Sequence, residues 1–144
     1  MSTHRIYSKK DKNKLLHIVY RLDQNNPERE NIVPAEEFLQ LSYIKLKKNK
    51  TFEPHEHVYK SGEAEIIAQE SWVVIRGKVK FIALDVGGEP LEEHILNPGD
   101  CSITLYGGHN YESLEDNTVV YEYKTGPYKG QKLDKKTYDE EKNI

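Results

Sequence analysis

The sequence predicts an all-β sandwich or barrel, and three observations carry that prediction. Runs rich in β-branched and aromatic residues recur along the chain, among them Leu39–Leu46, Trp72–Ile75 and Thr118–Lys124. Between them stand regular turn signals: Asp85-Val86-Gly87-Gly88-Glu89-Pro90, Asn97-Pro98-Gly99-Asp100 and Glu115-Asp116-Asn117. Helical periodicity is scarce. Short strands separated at even intervals by turns read as a closed or doubly layered β structure. The chain of 144 residues suits a single domain, large enough to bury roughly 68–70% of its unfolded surface.

Taken in order, residues 1–14 are polar and basic and predict a loosely held start. Leu15–Leu22 is the first predicted strand, an N-terminal arm ended by Asp23-Gln24-Asn25-Asn26-Pro27. Pro34 followed by Ala35-Glu36-Glu37-Phe38 predicts a short helical turn, with proline at its first position. Leu39–Leu46 alternates as a strand does, and Lys47-Lys48-Asn49-Lys50 closes it as a solvated turn. Lys78–Leu84 alternates Val79, Phe81 and Ala83 against Lys80, Ile82 and Leu84, and pairs back on the preceding run across Gly77. Leu91–Leu96, Cys101–Tyr106, Tyr111–Leu114 and Thr118–Lys124 follow. No internal repeat is present, and the tail after Gly130 is charged, helical or disordered in expectation.

Composition narrows the partners. A net charge of −3 gives no electrostatic case for nucleic acid. No apolar run approaches the length needed to cross a bilayer, and the N-terminus lacks the apolar core of a signal peptide. One cysteine, Cys101, cannot form an internal disulfide and fits a reducing compartment; on its strand it is expected to be a small buried hydrophobe. The expectation is a cytoplasmic protein.

The chemistry concentrates between Thr51 and Gly77. His55 and His57 stand two residues apart, so a strand presents both imidazoles on one face. Glu70 begins a second strand-like run, and a one-residue slip of register would place Gln69 there instead. Two histidines and a carboxylate from neighbouring strands make a ligand set for a transition metal; the bland alternative is a pair of surface histidines beside a turn. Trp72 and Val74 share the face of Glu70, so Trp72 either packs in the core or stacks on a substrate. His4, His17 and His94 have no such pattern.

Pro54-His55-Glu56-His57 and the Glu70…Gly77 run resemble the first motif of the cupin superfamily, with twelve residues, Val58–Gln69, standing between its two parts as an insertion turning at Gly62. Gly99 and, ten residues on, His109 resemble the second motif, with Gly107-Gly108 in place of its usual Pro-x-Gly. The resemblance spans about Phe38 to Lys124 and implies a double-stranded β-helix, or jelly roll, as one domain over 1–144: an arm over 1–37, the barrel over 38–124 and a charged tail over 131–144.

It further implies a divalent transition metal (iron, manganese, zinc or nickel) on His55, His57, Glu70 and His109. Tyr111, on the face of His109, is the nearest general acid or base and a candidate substrate contact beside Trp72. Lys124-Thr125-Gly126-Pro127-Tyr128-Lys129-Gly130 resembles a run of small cupins of bacterial surface-polysaccharide synthesis. The expected function is therefore a metal-dependent isomerase or epimerase of a sugar or sugar-nucleotide. The rival expectations are an Fe(II) dioxygenase, a carbohydrate-binding or sensor module with a structural metal, and a barrel that binds ligand without metal. Edge strands need covering, and the arm predicts a homodimer.

Overall fold

The computed structural model describes residues 3–23, 25–57, 68–127 and 135–137, with the backbone alone for 57 and 135–137. Twelve strands are described, and no helix. They are β1 (Thr3–Tyr7), β2 (Leu15–Tyr20), β3 (Arg29–Asn31), β4 (Leu39–Leu46), β5 (His55–His57) and β6 (Glu70–Arg76). After them come β7 (Val79–Leu84), β8 (Pro90–Leu96), β9 (Cys101–Thr104), β10 (Gly108–Ser113), β11 (Thr118–Thr125) and β12 (Lys135–Thr137).

From β4 onward the chain crosses repeatedly between two facing sheets, staying in one only for the β7-β8 hairpin. One sheet runs β3-β4-β11-β6-β9 and the other β12-β5-β10-β7-β8, with β1 and β2 forming a separate hairpin. Every pairing is antiparallel. The first barrel strand, β4, pairs with the last, β11, while β5 pairs with β10. That interleaving is the jelly roll, which closes its sheets on each other through crossing connections rather than hairpins alone.

Local sequence explains the punctuation. Gly77 turns β6 into β7 with φ of +86°, and a Cβ there would fall onto Thr118. Gly107 enters β10 with φ of +81°, and a Cβ would meet the Leu84 carbonyl oxygen at 2.8 Å. Only glycine suits either position.

The main core lies between the sheets. Ile44, Leu46, Trp72, Val74, Val79, Leu96, Tyr111 and Val120 form it, with Phe52 and Phe81 packed alongside. At one end of the barrel these inward positions turn polar: Gln40, Ser42, Glu70, Ser102, Thr104 and Glu122 are all buried. A second cluster of Ile32, Tyr43 and Val119 lies on the outer face of the β4-side sheet, packed against Ile18 and Tyr20 of β2.

Several expectations are corrected. Residues 3–7, read as loose, form β1, because Thr3–Tyr7 pairs with β2 over its whole length. Pro34–Glu37 makes one hydrogen-bonded turn, the Glu37 N–H donating to the Pro34 carbonyl, and no helix grows from it. Arg29–Asn31 is a strand too short and too polar to show a period in the sequence. Part of the charged tail, Lys135–Thr137, is the strand β12, pairing with β5. Cys101 is exposed rather than buried, since on β9 it is Ser102 and Thr104 that face inward. The insertion Val58–Gln69 and its turn at Gly62 lie mostly outside the described residues.

Candidate metal centre

Three strands bring His55, Glu70 and His109 to one point between the sheets. β5 and β10 are neighbours with His55 and His109 directly opposite. β6 lies in the facing sheet and carries Glu70 at its first position. The ligand atoms of the three residues lie within 4.8 Å of one another, and all three residues are buried. Nε2 of His109 is 3.1 Å from Nε2 of His55 and 3.2 Å from Oε2 of Glu70.

The hydrogen bonds around the imidazoles set their tautomers. Nδ1 of His55 lies 3.0 Å from the carbonyl oxygen of Glu53. A carbonyl only accepts, so Nδ1 carries the proton and Nε2 presents its lone pair to the cluster. Nδ1 of His109 lies 2.6 Å from the hydroxyl of Thr104. That hydroxyl can accept from Nδ1–H when Nε2 serves as a ligand, the usual second partner of a metal-bound histidine.

The donor set fits a divalent transition metal. Donors held at about 2.0–2.2 Å by one ion stand about 2.8–3.6 Å apart, from octahedral to tetrahedral geometry, a range that includes the 3.1 and 3.2 Å separations here. Two imidazoles and a carboxylate suit iron, manganese, zinc or nickel. Glu70 rather than Gln69 faces the cluster; the amide of Gln69 is exposed and donates to the Leu105 carbonyl at 3.4 Å. His57 lies on β5 opposite Lys135, and its side chain is outside the described residues.

Behind Glu70 stands a buried relay. The indole N–H of Trp72 lies 2.9 Å from Oε1 of Glu70 and 2.9 Å from Oε2 of Glu122. Glu122 also accepts from Nη2 of Arg29 at 3.3 Å. Burial, then the charge of Glu70 and a hydrogen bond with it, push the Glu122 carboxyl up to about 8. Sequence reasoning missed Glu122, Thr104 and Ser102. For Glu122 there was a signal: it shares the inward parity of Val120, two residues before it on β11.

Trp72 and Tyr111 are placed together, both 2% exposed. Their rings stack with centroids 3.9 Å apart and 2° between planes, and Phe52 meets the indole edge-on at 5.7 Å. Of the two roles open to Trp72, core packing is what the geometry provides, because no open indole face remains for a substrate. The Tyr111 hydroxyl is 2.7 Å from that of Ser102. Burial raises its pKa well above the usual phenol value, with the charge of Glu70 adding to the effect. It therefore stays protonated at neutral pH and can give a proton but not take one. His94 is on exposed β8, paired with Glu92 at 2.7 Å and remote from the cluster.

No protein-family model and no curated protein sequence matches the chain. Solved structures do. The capsular polysaccharide assembling protein CapF from Staphylococcus aureus aligns with a TM-score of 0.61 at 17% identity, over 81% of this chain and 30% of that one. KdgF from Halomonas sp. aligns at 0.54 and 16%, over 74% and 87%. The oxalate decarboxylase of Lactobacillus farciminis aligns at 0.55 and 19%, over 76% and 30%. This chain thus spans most of KdgF and under a third of the other two. A cupin superfamily protein from Desulfitobacterium hafniense aligns at 0.50 and 8%, over 73% and 82%. With β4–β11 interleaved as a jelly roll and these structures sharing it, the fold of this chain is the cupin barrel.

Proposed function

We propose that this cupin barrel binds a divalent transition metal through His55, Glu70 and His109, with His57 as the fourth ligand, and acts on a small polar substrate of the sugar or sugar-nucleotide class. The observation that carries the reading is the convergence of three buried ligand atoms within 4.8 Å. A buried carboxylate beside two imidazoles is costly to desolvate, and a cation offsets that cost. Once bound, such an ion supplies Lewis-acid polarisation of a carbonyl or hydroxyl. The residues of the chain hold and orient: Glu53 and Thr104 fix the imidazoles, Trp72 and Glu122 fix Glu70, and Tyr111 is the candidate proton donor. The sugar class draws support from the likeness to CapF, named for capsular polysaccharide assembly.

The second reading is a non-catalytic carbohydrate-binding or sensor module. The burial of Tyr111 favours it, since its hydroxyl is already engaged by Ser102 and shut off from solvent. A ligand found by thermal-shift screening of nucleotide sugars separates the two. In an enzyme, Tyr111→Phe lowers turnover by about 10²–10⁴-fold with little change in affinity; in a binding module there is no turnover to lose. The metal assignment is tested on its own by metal analysis of protein purified without a chelating tag. His55→Ala and His109→Ala should lose bound metal and His94→Ala should keep it; equal content in all three rejects the ligand set.

We propose also that the chain forms a homodimer through its arm. No helix among the described residues is long and apolar enough to cross a membrane. The hairpin β1-β2 nevertheless leaves Ile6, Tyr7, Leu16 and Val19 exposed, with Phe38 and Leu39 exposed on the barrel. Beneath it lies a groove of about 590 Å³ lined by Ile18, Phe38, Leu41 and Tyr121 among others. The barrel covers only the Ile18 and Tyr20 side of the hairpin, and a second copy would cover the exposed side chains.

A further inference from the structure

We infer that Glu122 is a positioning residue for the metal cluster: through the shared indole N–H of Trp72 it fixes the Glu70 carboxylate in the orientation that turns Oε2 toward His109. This deepens the metal reading and rests on it.

The inference follows from how the two carboxylates are arranged. Glu70 and Trp72 stand two residues apart on β6, so both point inward, and Glu122 of β11 is the register partner of Trp72. The single N–H reaches Oε1 of Glu70 and Oε2 of Glu122 at the same distance, 2.9 Å. Glu70 is thereby held at Oε1, with a hydrogen bond to Glu122 besides, and its Oε2 lies 3.2 Å from Nε2 of His109. The indole cannot swing away, because Tyr111 lies flat on one face, Phe52 packs perpendicular to it and the side chain is fully enclosed. Tyr111 is itself pinned through Ser102.

The far end of the relay is anchored as well. The other oxygen of Glu122 accepts from Arg29, a β3 residue whose side chain is 47% exposed. A chain of polar contacts therefore runs from the surface through Glu122 and Trp72 to a metal ligand. A glutamate side chain has three rotatable bonds, and holding it before the ion arrives removes their entropy from the cost of binding. Partners of this kind, one step behind the ligands, are worth about 10–100-fold in metal affinity.

The test uses Co²⁺ as the probe, titrated into the 144-residue chain freed of metal. Its affinity is read together with its visible absorption, which reports the number and geometry of its ligands. Glu122→Ala should bind Co²⁺ about 10–100-fold more weakly, with an altered absorption band. Glu122→Gln, which keeps the shape and can still accept from the indole and reach Glu70, should restore both. A purely structural role would move the melting temperature but not the band of the bound ion. If Glu122→Ala does not fold, Trp72→Phe removes the N–H while keeping a ring on Tyr111 and should show the same weakening. An unchanged affinity and band in folded Glu122→Ala or Trp72→Phe overturns the inference while leaving the metal reading intact. So does a Glu122→Gln no better than Glu122→Ala. Wild-type protein that takes up no Co²⁺ overturns the metal reading, and this inference with it.

Discussion

Trp72 and Tyr111 lie face to face across the two sheets, 3.9 Å apart and within 2° of parallel. This pair divides the barrel interior into two halves. On one side are the aliphatic positions Val74, Val79, Leu96 and Val120, and on the other the carboxylates and imidazoles. Each ring carries a polar tip that is satisfied on the polar side, the indole N–H by Glu70 and Glu122 and the phenol by Ser102. The stack is thus both a core contact and the floor of the candidate metal centre.

Tyr111→Phe should keep the stack and lose the bond to Ser102. The Ser102 hydroxyl, on a residue 6% exposed, would be left buried without that partner. The expected loss is about 1–3 kcal/mol of stability, read by denaturant unfolding. Metal content should not change, since no ligand is touched. Loss of metal in this variant would show that the phenol does more than support the floor.

Thr104→Val replaces a hydroxyl by a methyl of similar shape and leaves Nδ1 of His109 without its 2.6 Å partner. Metal affinity should fall by about 10–100-fold. A binding titration on the folded variant checks it, and unchanged affinity would reject the orienting role of Thr104.

The cluster was legible because its residues obey strand periodicity: His55 stands at a strand position, and Glu70 shares the inward face of Trp72 and Val74. The alternation of turns and strands likewise carried the barrel. What escaped was set by tertiary structure. Cys101 and Ile103 are more apolar than Ser102 and Thr104, so hydrophobicity alone orients β9 backwards. The strand faces the polar end of the barrel, where Thr104 meets His109 and Ser102 meets Tyr111. β1, β3 and β12 escaped for another reason. Polar or exposed along most of their length, they owe their existence to pairing with β2, β4 and β5, which no local pattern reveals.

Removing residues 1–22 should abolish the homodimer and yield monomer or aggregate, because the outer cluster of Ile32, Tyr43 and Val119 loses its cover from Ile18 and Tyr20. Sedimentation of the full and shortened chains checks it. A full chain that sediments as a monomer, with the shortened one doing the same, rejects the dimer.

The last prediction concerns acidity in the metal-free protein. Glu122 is pushed from 4.5 in the unfolded reference to about 8 in the folded protein, chiefly by burial and next by the charge of Glu70. A group whose folded pKa is raised holds its proton more tightly when folded, so the native state binds more protons than the unfolded one between those values. Stability must then fall as pH rises. The contribution is fully present below about 4.5 and is lost progressively as pH climbs through about 8. Glu122→Gln mimics the protonated carboxyl at every pH and should remove this dependence. The measurement is denaturant unfolding of both proteins, stripped of metal, at about pH 5 and about pH 8. Wild-type protein should lose more stability than Glu122→Gln between the two, and the difference isolates Glu122 from the histidines common to both. Parallel losses in the two proteins would mean that Glu122 does not hold a proton in the folded barrel.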